Sequence, residues 1–245
     1  MDLLKKAAKE FEKLLSTTYY FEIARKNIAK KFALNFIPED FHHICGLHKL
    51  KDIGLVQTGP RGRIYQDIIK NKITFADIVI SNYYDNIADR INFICNIGNI
   101  LDSNQIIFKY IEKSNQISRI EADYLLQNAH QTDIIYIFLS ERAKIEQTAL
   151  PVMCCRSFFP MDKLDYTKNQ PSYTLLKKIK VDAITGEKTV QYDRSRILVQ
   201  AKQAASEPER RSIMQQLNEK KAQMEINEVL AEKNREKNKH EHERF

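Results

Sequence analysis

Three histidines lie close together in the segment DFHHICGLHKLKDI, which covers residues 40 to 53. They are His42, His43 and His48, and Lys49 and Lys51 lie within three residues after the last of them. An imidazole exchanges its proton near neutral pH, so histidines are suited to act as general acids and bases. Lysines beside them would attract an anionic substrate, or would simply form a solvated helix end. The segment therefore indicates either proton-transfer chemistry on a polyanion or a set of structural side chains.

The element that carries the histidines determines where they point. Pro38 and Asp40 offer a turn and an N-cap, which predicts a helix from residue 41 to about residue 50. At about 100° per residue, His43 and His48 fall on the two margins of the apolar arc, about 140° apart. Each of them is then anchored by packing and still able to reach a cleft, or else is a boundary histidine bonded to a carbonyl.

In the same projection His42 and Lys49 point to solvent, whereas Lys51 falls on the apolar arc. Because His43 and His48 diverge, they cannot bind one metal ion together, so a zinc site is disfavoured. We therefore predict no metal and no other cofactor.

The basic charge of the chain is concentrated before its last segment. The 245 residues carry a net charge of +7, and residues 1 to 200 hold 29 basic and 23 acidic side chains. A basic domain favours polyanions such as nucleic acid. Four cysteines, an adjacent pair and two single residues, fit neither a zinc motif nor a disulfide framework. With no long apolar run and no signal-peptide pattern, we expect a soluble cytoplasmic protein without a membrane partner.

The pattern of elements changes along the chain. Apolar spacing predicts a helix over residues 3 to 15, a hairpin from residues 19 to 37, and further helices up to residue 101. After residue 103, short segments with β character follow one another without room for crossover helices. The predicted fold class is therefore α+β, with a helical N-terminal half packed on an antiparallel sheet drawn from residues 105 to 192.

A different texture begins near residue 201, rich in Ala, Gln, Glu, Lys and Asn. Its apolar stripe is too thin for a core but sufficient for a helix that packs on a partner. We predict one domain over residues 1 to 195 and a charged helical or partly disordered extension over residues 196 to 245.

The predicted sheet supplies further candidates for binding a phosphate. In the segment PVMCCRSFF, strand alternation places Arg156 on one face with Val152, Cys154 and Phe158. A guanidinium there requires an anion, which is either a substrate phosphate or a carboxylate such as Glu121 or Asp123. The segment DYTKNQPSYTLL adds Thr174 as a catalytic candidate, and Tyr173 and Lys168 as candidates for ribose or phosphate contacts, although turn formation explains much of this segment equally well.

The histidine segment resembles the hallmark of a known family. The pattern F-x-H-h-x-G-L-H-K-L-K-D-I, in which h is apolar, runs from Phe41 to Ile53 and is similar to that of phage-associated nucleases grouped with barnase, EndoU, the tRNase colicins and RelE. The blocks FADI, ILDSNQIIFKY, SRIEADYLL, IYIFL, SFFP, DYTKNQ, YTLLKK and TGE follow in the expected order, so that the resemblance covers roughly residues 15 to 190. It implies a barnase-like α+β fold and a nuclease.

For RNA cleavage without a metal, the ribose 2′-OH is the nucleophile, and the site needs a base, an acid and cations for the phosphate. We expect His43 and His48 to transfer protons, Arg156 to hold the phosphate, and Lys49 and Lys51 to contact RNA. The expected function is a metal-independent endoribonuclease of the toxin or phage-defence type, restrained by an inhibitor protein or associating through its C-terminal helix. The alternatives are a non-catalytic RNA-binding module and a protein-interaction scaffold.

Overall fold

The computed structural model describes residues 2–103, 105–114, 118, 120–143, 150–201, 215 and 218–221. The chain divides into two units, Met1–Arg194 and Ser195–Phe245. In the second unit, residues 195 to 201, 215 and 218 to 221 are helical. Most of the predicted tail helix lies outside the described residues.

The first unit combines short helices with long strands. Its α-helices are α1 Leu3–Glu12, α2 Asp40–Ile44, α3 Gly54–Gln57, α4 Arg61–Ile69, α5 Phe75–Val79, α6 Ala88–Ile94 and α7 Ile97–Asp102. Its strands are β1 Thr17–Arg25, β2 Ile28–Asn35, β3 Gln105–Lys109, β4 Tyr124–His130, β5 Asp133–Glu141, β6 Val152–Pro160, β7 Ser172–Asp182 and β8 Lys188–Asp193. None of the helices in the described part of the chain combines the length and apolar composition that crossing a membrane requires.

Seven of the described strands close into a barrel. Their order is β1-β2-β6-β5-β4-β3-β7, β7 pairs back with β1, and β8 adds to β7. The prediction of a helical N-terminal half packed on an antiparallel sheet is therefore wrong. The N-terminal half contributes β1 and β2 to the barrel, and β2 pairs with β6 in parallel. The pairings β1–β7 and β2–β6 join distant parts of the chain. Local sequence patterns therefore do not predict them.

The predicted hairpin at the start of the chain is confirmed. β1 and β2 pair along their whole length, and the tight turn between them places Lys26 and Asn27 at positive φ. In β1, Tyr19, Phe21 and Ile23 are buried at alternate positions, which is the pattern of a strand with one face on the core.

An aromatic cluster packs the helices α1, α2 and α4 against one another. The ring of Phe11 on α1 contacts Phe36, Phe41 and Tyr65, with centroids 5.8, 5.4 and 5.9 Å away. Each fully buried aromatic side chain contributes about 1.5–3 kcal/mol through the area it removes from water. Since Phe41 lies on α2, this cluster anchors the helix that carries His42 and His43.

Candidate active site

The helix α2 is held at its start by an ion pair. Asp40 is 8% exposed, and its Oδ2 accepts hydrogen bonds from Arg142 Nη2 at 2.6 Å and from the backbone N–H of Ile37 at 2.9 Å. Arg142 also donates to the Asn35 carbonyl at the end of β2. The ion pair thus ties α2 to the barrel wall, and it limits how far His43 can move.

The helix predicted from residue 41 to residue 50 breaks in the middle. Gly46 adopts φ +79°, which ends α2 and starts a separate 3₁₀ turn at Leu47–Lys49. Only glycine takes this conformation freely. A Cβ at Gly46 would also lie 2.7 Å from Cγ2 of Ile87. The break cancels the predicted divergence of about 140°, and the ring centroids of His43 and His48 are 5.0 Å apart.

The orientation predicted for His42 is wrong. Its side chain is 6% exposed, and its Nε2–H donates to the Val56 carbonyl at 2.8 Å. Burial, the largest effect, lowers the pKa of this imidazole. His42 is therefore a packed histidine that ties α2 to α3, as the structural alternative requires. By contrast, neither His43 nor His48 bonds to a carbonyl among the described residues.

A cavity of about 800 Å³ brings several predicted residues together. His43, His48, Lys49 and Arg156 all line it, as do Arg90, Phe159 and Tyr166. A second cavity of about 460 Å³ shares three lining residues with the first, His43, Glu121 and Arg156. We call the two adjoining cavities together the groove, and the place where they share His43 and Arg156 its waist.

A β-bulge aims Arg156. Phe138 of β5 pairs with Ser157, whereas the next residue, Leu139, pairs with Cys155, so Arg156 is the extra residue of β6. Bulges reorient side chains and are frequent near active sites. The extra residue also shifts the alternation, so that Phe158 lies in the main core with Met153 and Cys155. The predicted grouping of Arg156 with Phe158 on one strand face is therefore wrong.

The carboxylates suggested as ion partners of Arg156 are engaged elsewhere or stand apart. Asp123 pairs with Lys109 at 3.4 Å and accepts a hydrogen bond from the Glu141 N–H at 2.9 Å. Glu121 lines both cavities with Arg156, but no ion pair joins the two in the described part of the chain. The exposed guanidinium of Arg156 is therefore available to a substrate anion.

Other predicted residues lie outside the groove. Thr174 is exposed on β7 opposite Ala24, and Tyr173 packs against Tyr124 with ring centroids 6.0 Å apart. Lys51 and Lys168 are exposed in turns. None of these four predicted residues lines either cavity.

Two cations that the sequence pattern did not predict, Arg90 and Lys163, also line the larger cavity, and Arg90 is the buried one. Arg90 on α6 is 6% exposed, and its guanidinium carbon lies 4.9 Å from the ring centroid of Phe159. A signal was present in the sequence, since Arg90 follows Ile87 by three residues and precedes Ile94 by four, which places it on the buried face of a helix. Spacing alone does not distinguish a buried arginine from one whose stem lies along an apolar face while its charged end reaches solvent.

Burial and neighbouring cations keep the two histidines neutral. Burial lowers the pKa of His43 to about 4, assisted by Arg61 and Arg156. Burial also lowers the pKa of His48 to about 4, assisted first by His43 and then by Arg90. Burial and Arg90 lower the pKa of Lys49 to about 8. At neutral pH each imidazole is ready to accept a proton, and it would hold that proton better once an anion offsets the cations.

No cluster of three or more His, Cys, Asp or Glu side chains suited to a metal ion occurs among the described residues. The comparison with known families adds the class of protein. The family model described as phage-Barnase-EndoU-ColicinE5/D-RelE like nuclease4 matches residues 3–195. The chain belongs to this family. Membership confirms the resemblance carried by the histidine segment, and it indicates nuclease activity on a nucleic acid substrate. No curated protein and no solved structure matches the chain.

Proposed function

We propose that the chain is an endoribonuclease that cleaves RNA by attack of the ribose 2′-OH on the adjacent phosphate, without a metal ion. The observation that carries the proposal is the groove waist, where His43 and Arg156 line both cavities. A proton-transfer group beside a phosphate-binding cation, with room for substrate on either side, suits cleavage inside a polynucleotide. Membership of the nuclease family supports this chemistry.

The spacing of the histidines suggests unequal roles. Rings with centroids 5.0 Å apart leave no space for a phosphate between them, so they cannot act from opposite sides of it. His43 lines both cavities with Arg156, whereas His48 lines only the larger one, so we assign to His43 both the removal of the 2′-OH proton and its return to the leaving 5′-oxygen. His48 then acts as a positioning residue that limits the pair to one proton, because two adjacent imidazolium ions repel each other.

The test is cleavage of total RNA by the purified protein in the presence of a chelator. The wild type should produce fragments with 2′,3′-cyclic phosphate or 3′-phosphate ends. His43→Ala should lower the cleavage rate by about 10²- to 10⁴-fold, as is typical for loss of a general acid or base. His130→Ala is the matched control, since His130 ends β4 outside both cavities, and it should cleave like the wild type.

Other outcomes would overturn particular parts of the proposal. Cleavage that stops in chelator would contradict metal independence, and cleavage of DNA at the same rate would contradict attack by the 2′-OH. A wild type that retards RNA on a gel and never cuts it would favour a binding module.

The toxin or phage-defence role and its partners belong to the same proposal. The phage association in the family description supports this role. Such a nuclease requires an inhibitor protein in the cell that makes it, and self-association through the C-terminal segment is a second means of restraint. Expression of the wild type should stop the growth of a host cell, whereas expression of His43→Ala should not.

A further inference from the structure

Arg90 is a buried cation without a counter-ion in the part of the chain that the structure describes. Its guanidinium lies against the ring of Phe159. Its stem packs so closely against Gly46 that a Cβ on that glycine would lie 3.1 Å from Arg90 Cδ. Its Nη1 is buried and has no hydrogen-bond partner among the described residues. The guanidinium is therefore fixed in place while part of its donor edge is unused.

Carboxylates are near enough to line the same cavity but do not neutralise Arg90. The acidic residues of the cavity wall are Asp85, Asp89, Glu121 and Asp162. None of them forms an ion pair with Arg90 in the described residues. A buried charge without a partner lowers the stability of a protein by several kcal/mol. Such a group is therefore expected where it serves a function such as ligand binding. A guanidinium with a free edge is suited to two parallel hydrogen bonds with a phosphate.

The cations that act on the two histidines fall into two groups. Arg61 and Arg156 are the cations that lower the pKa of His43, whereas Arg90 and Lys49 are those that lower the pKa of His48. Arg156 borders both cavities, whereas Arg90 and Lys49 line only the larger one. The group of Arg61 and Arg156 therefore reaches the smaller cavity, whereas the group of Arg90 and Lys49 borders the larger cavity alone.

We propose that Arg90, assisted by Lys49, binds a second phosphate of the polynucleotide, next along the strand from the scissile phosphate held at Arg156. This inference rests on the proposed function for the identity of the substrate. It makes the preferred substrate an oligonucleotide with at least two consecutive phosphates. A dinucleoside monophosphate, which has only the scissile phosphate, leaves Arg90 unoccupied.

Kinetics with two short substrates provide the first test. We expect Arg90→Met to raise the KM for a trinucleoside diphosphate by about 10- to 100-fold more than the KM for a dinucleoside monophosphate, because charged hydrogen bonds to only one of them are lost. Arg63→Met is the matched control, since Arg63 is a solvent-exposed arginine on α4. This variant should leave the KM for both substrates unchanged. An equal rise for both substrates would show that Arg90 contacts the scissile phosphate instead, and no rise would show that it binds no phosphate.

Stability measurements test the same site independently of catalysis. Replacing an unpaired buried cation by methionine should raise the Tm of the free protein, whereas loss of a structural arginine would lower it. Inorganic phosphate, at ionic strength matched with sodium chloride, should raise the Tm of the wild type and of Arg63→Met more than that of Arg90→Met. An equal phosphate effect in Arg90→Met would overturn the second site while leaving the nuclease proposal intact. A wild type that cuts no RNA but shows this Arg90-dependent phosphate effect would overturn the nuclease proposal and retain the site.

Discussion

Gly46 decides whether His43 and His48 meet. Its positive φ ends α2 and turns the chain so that residues predicted to diverge become neighbours. The types of these residues and their link to a nuclease family were readable from the sequence. The turn was not, because a single glycine inside an apolar periodic pattern is compatible with a continuous helix that it merely weakens.

Gly46→Ala should lower the free energy of unfolding by about 2–4 kcal/mol, through strain at positive φ and through the clash with Ile87. It should also lower nuclease activity, since the histidine pair would separate. Urea denaturation measures the first effect. Gly98→Ala is the control, because an added Cβ on this residue of α7 meets nothing within 4 Å, and it should leave the protein as stable or more so. Equal stability of the two variants would contradict the role given to Gly46.

The neutral histidine pair makes stability depend on pH. The folded pKa of His43 and of His48 is about 4, below the ordinary value of 6.5. Between these values the unfolded chain binds protons that the folded chain does not. The contribution of these histidines to stability is therefore complete above about pH 6.5 and is lost progressively as the pH falls towards 4.

Urea denaturation at pH values from 7 to about 4.5 would measure this slope. The double variant His43→Gln/His48→Gln should show a flatter dependence, since the remaining titrating groups are common to both proteins. Parallel curves would mean that the two imidazoles are not protected from protons in the folded state.

At the scale of elements, two devices position the groove: the bulge in β6 and the ion pair that begins α2. Strand β6 was predictable from its composition, but the extra residue at Arg156 was not, since it depends on the register with β5. Likewise Asp40 was expected to act as a helix cap, and its partner Arg142 lies 102 residues away in the chain. Local patterns thus locate the elements, and long-range pairings determine where their side chains point.

Asp40→Ala should lower the free energy of unfolding by about 2–4 kcal/mol, because it leaves the partly buried guanidinium of Arg142 and the Ile37 N–H without their acceptor. Asp67→Ala removes a carboxylate from the wider and more exposed ion pairs with Arg63 and Lys72, and it should cost about 1 kcal/mol or less. Thermal denaturation of both variants would compare the two. A cost at Asp40 no greater than that at Asp67 would refute the anchoring role of the ion pair.

At the scale of the whole molecule, the closed barrel is the feature that sequence patterns missed. The strands themselves were largely predicted, including the opening hairpin. Closure was not, because β1 offers the same alternating face whether it stands at a sheet edge or pairs with β7. Whether β1 stands at an edge or pairs with β7 depends on all the pairings of the barrel together. The closed barrel leaves fewer open strand edges than a flat sheet would.

Deletion of the residues after Ala201 should leave the Tm of the domain unchanged within about 2 °C. The reason is the thin apolar stripe of this segment, which can contribute little to a core. Circular dichroism of the shortened and full chains would compare them. A fall of more than about 5 °C, equivalent to more than 1 kcal/mol at this size, would show that the segment is integral to the domain.

The pairing of Thr17 with Asp182 affects how the domain folds during its synthesis. β1 is the first strand of the domain to leave the ribosome, and nearly the whole domain must be synthesised before its second neighbour, β7, is available for pairing. Pairings so distant in sequence also form slowly. For the proposed ribonuclease, the groove therefore takes shape only after β6 and β7 have been synthesised, so that the nascent chain, surrounded by ribosomal RNA, has no finished site with which to cut it.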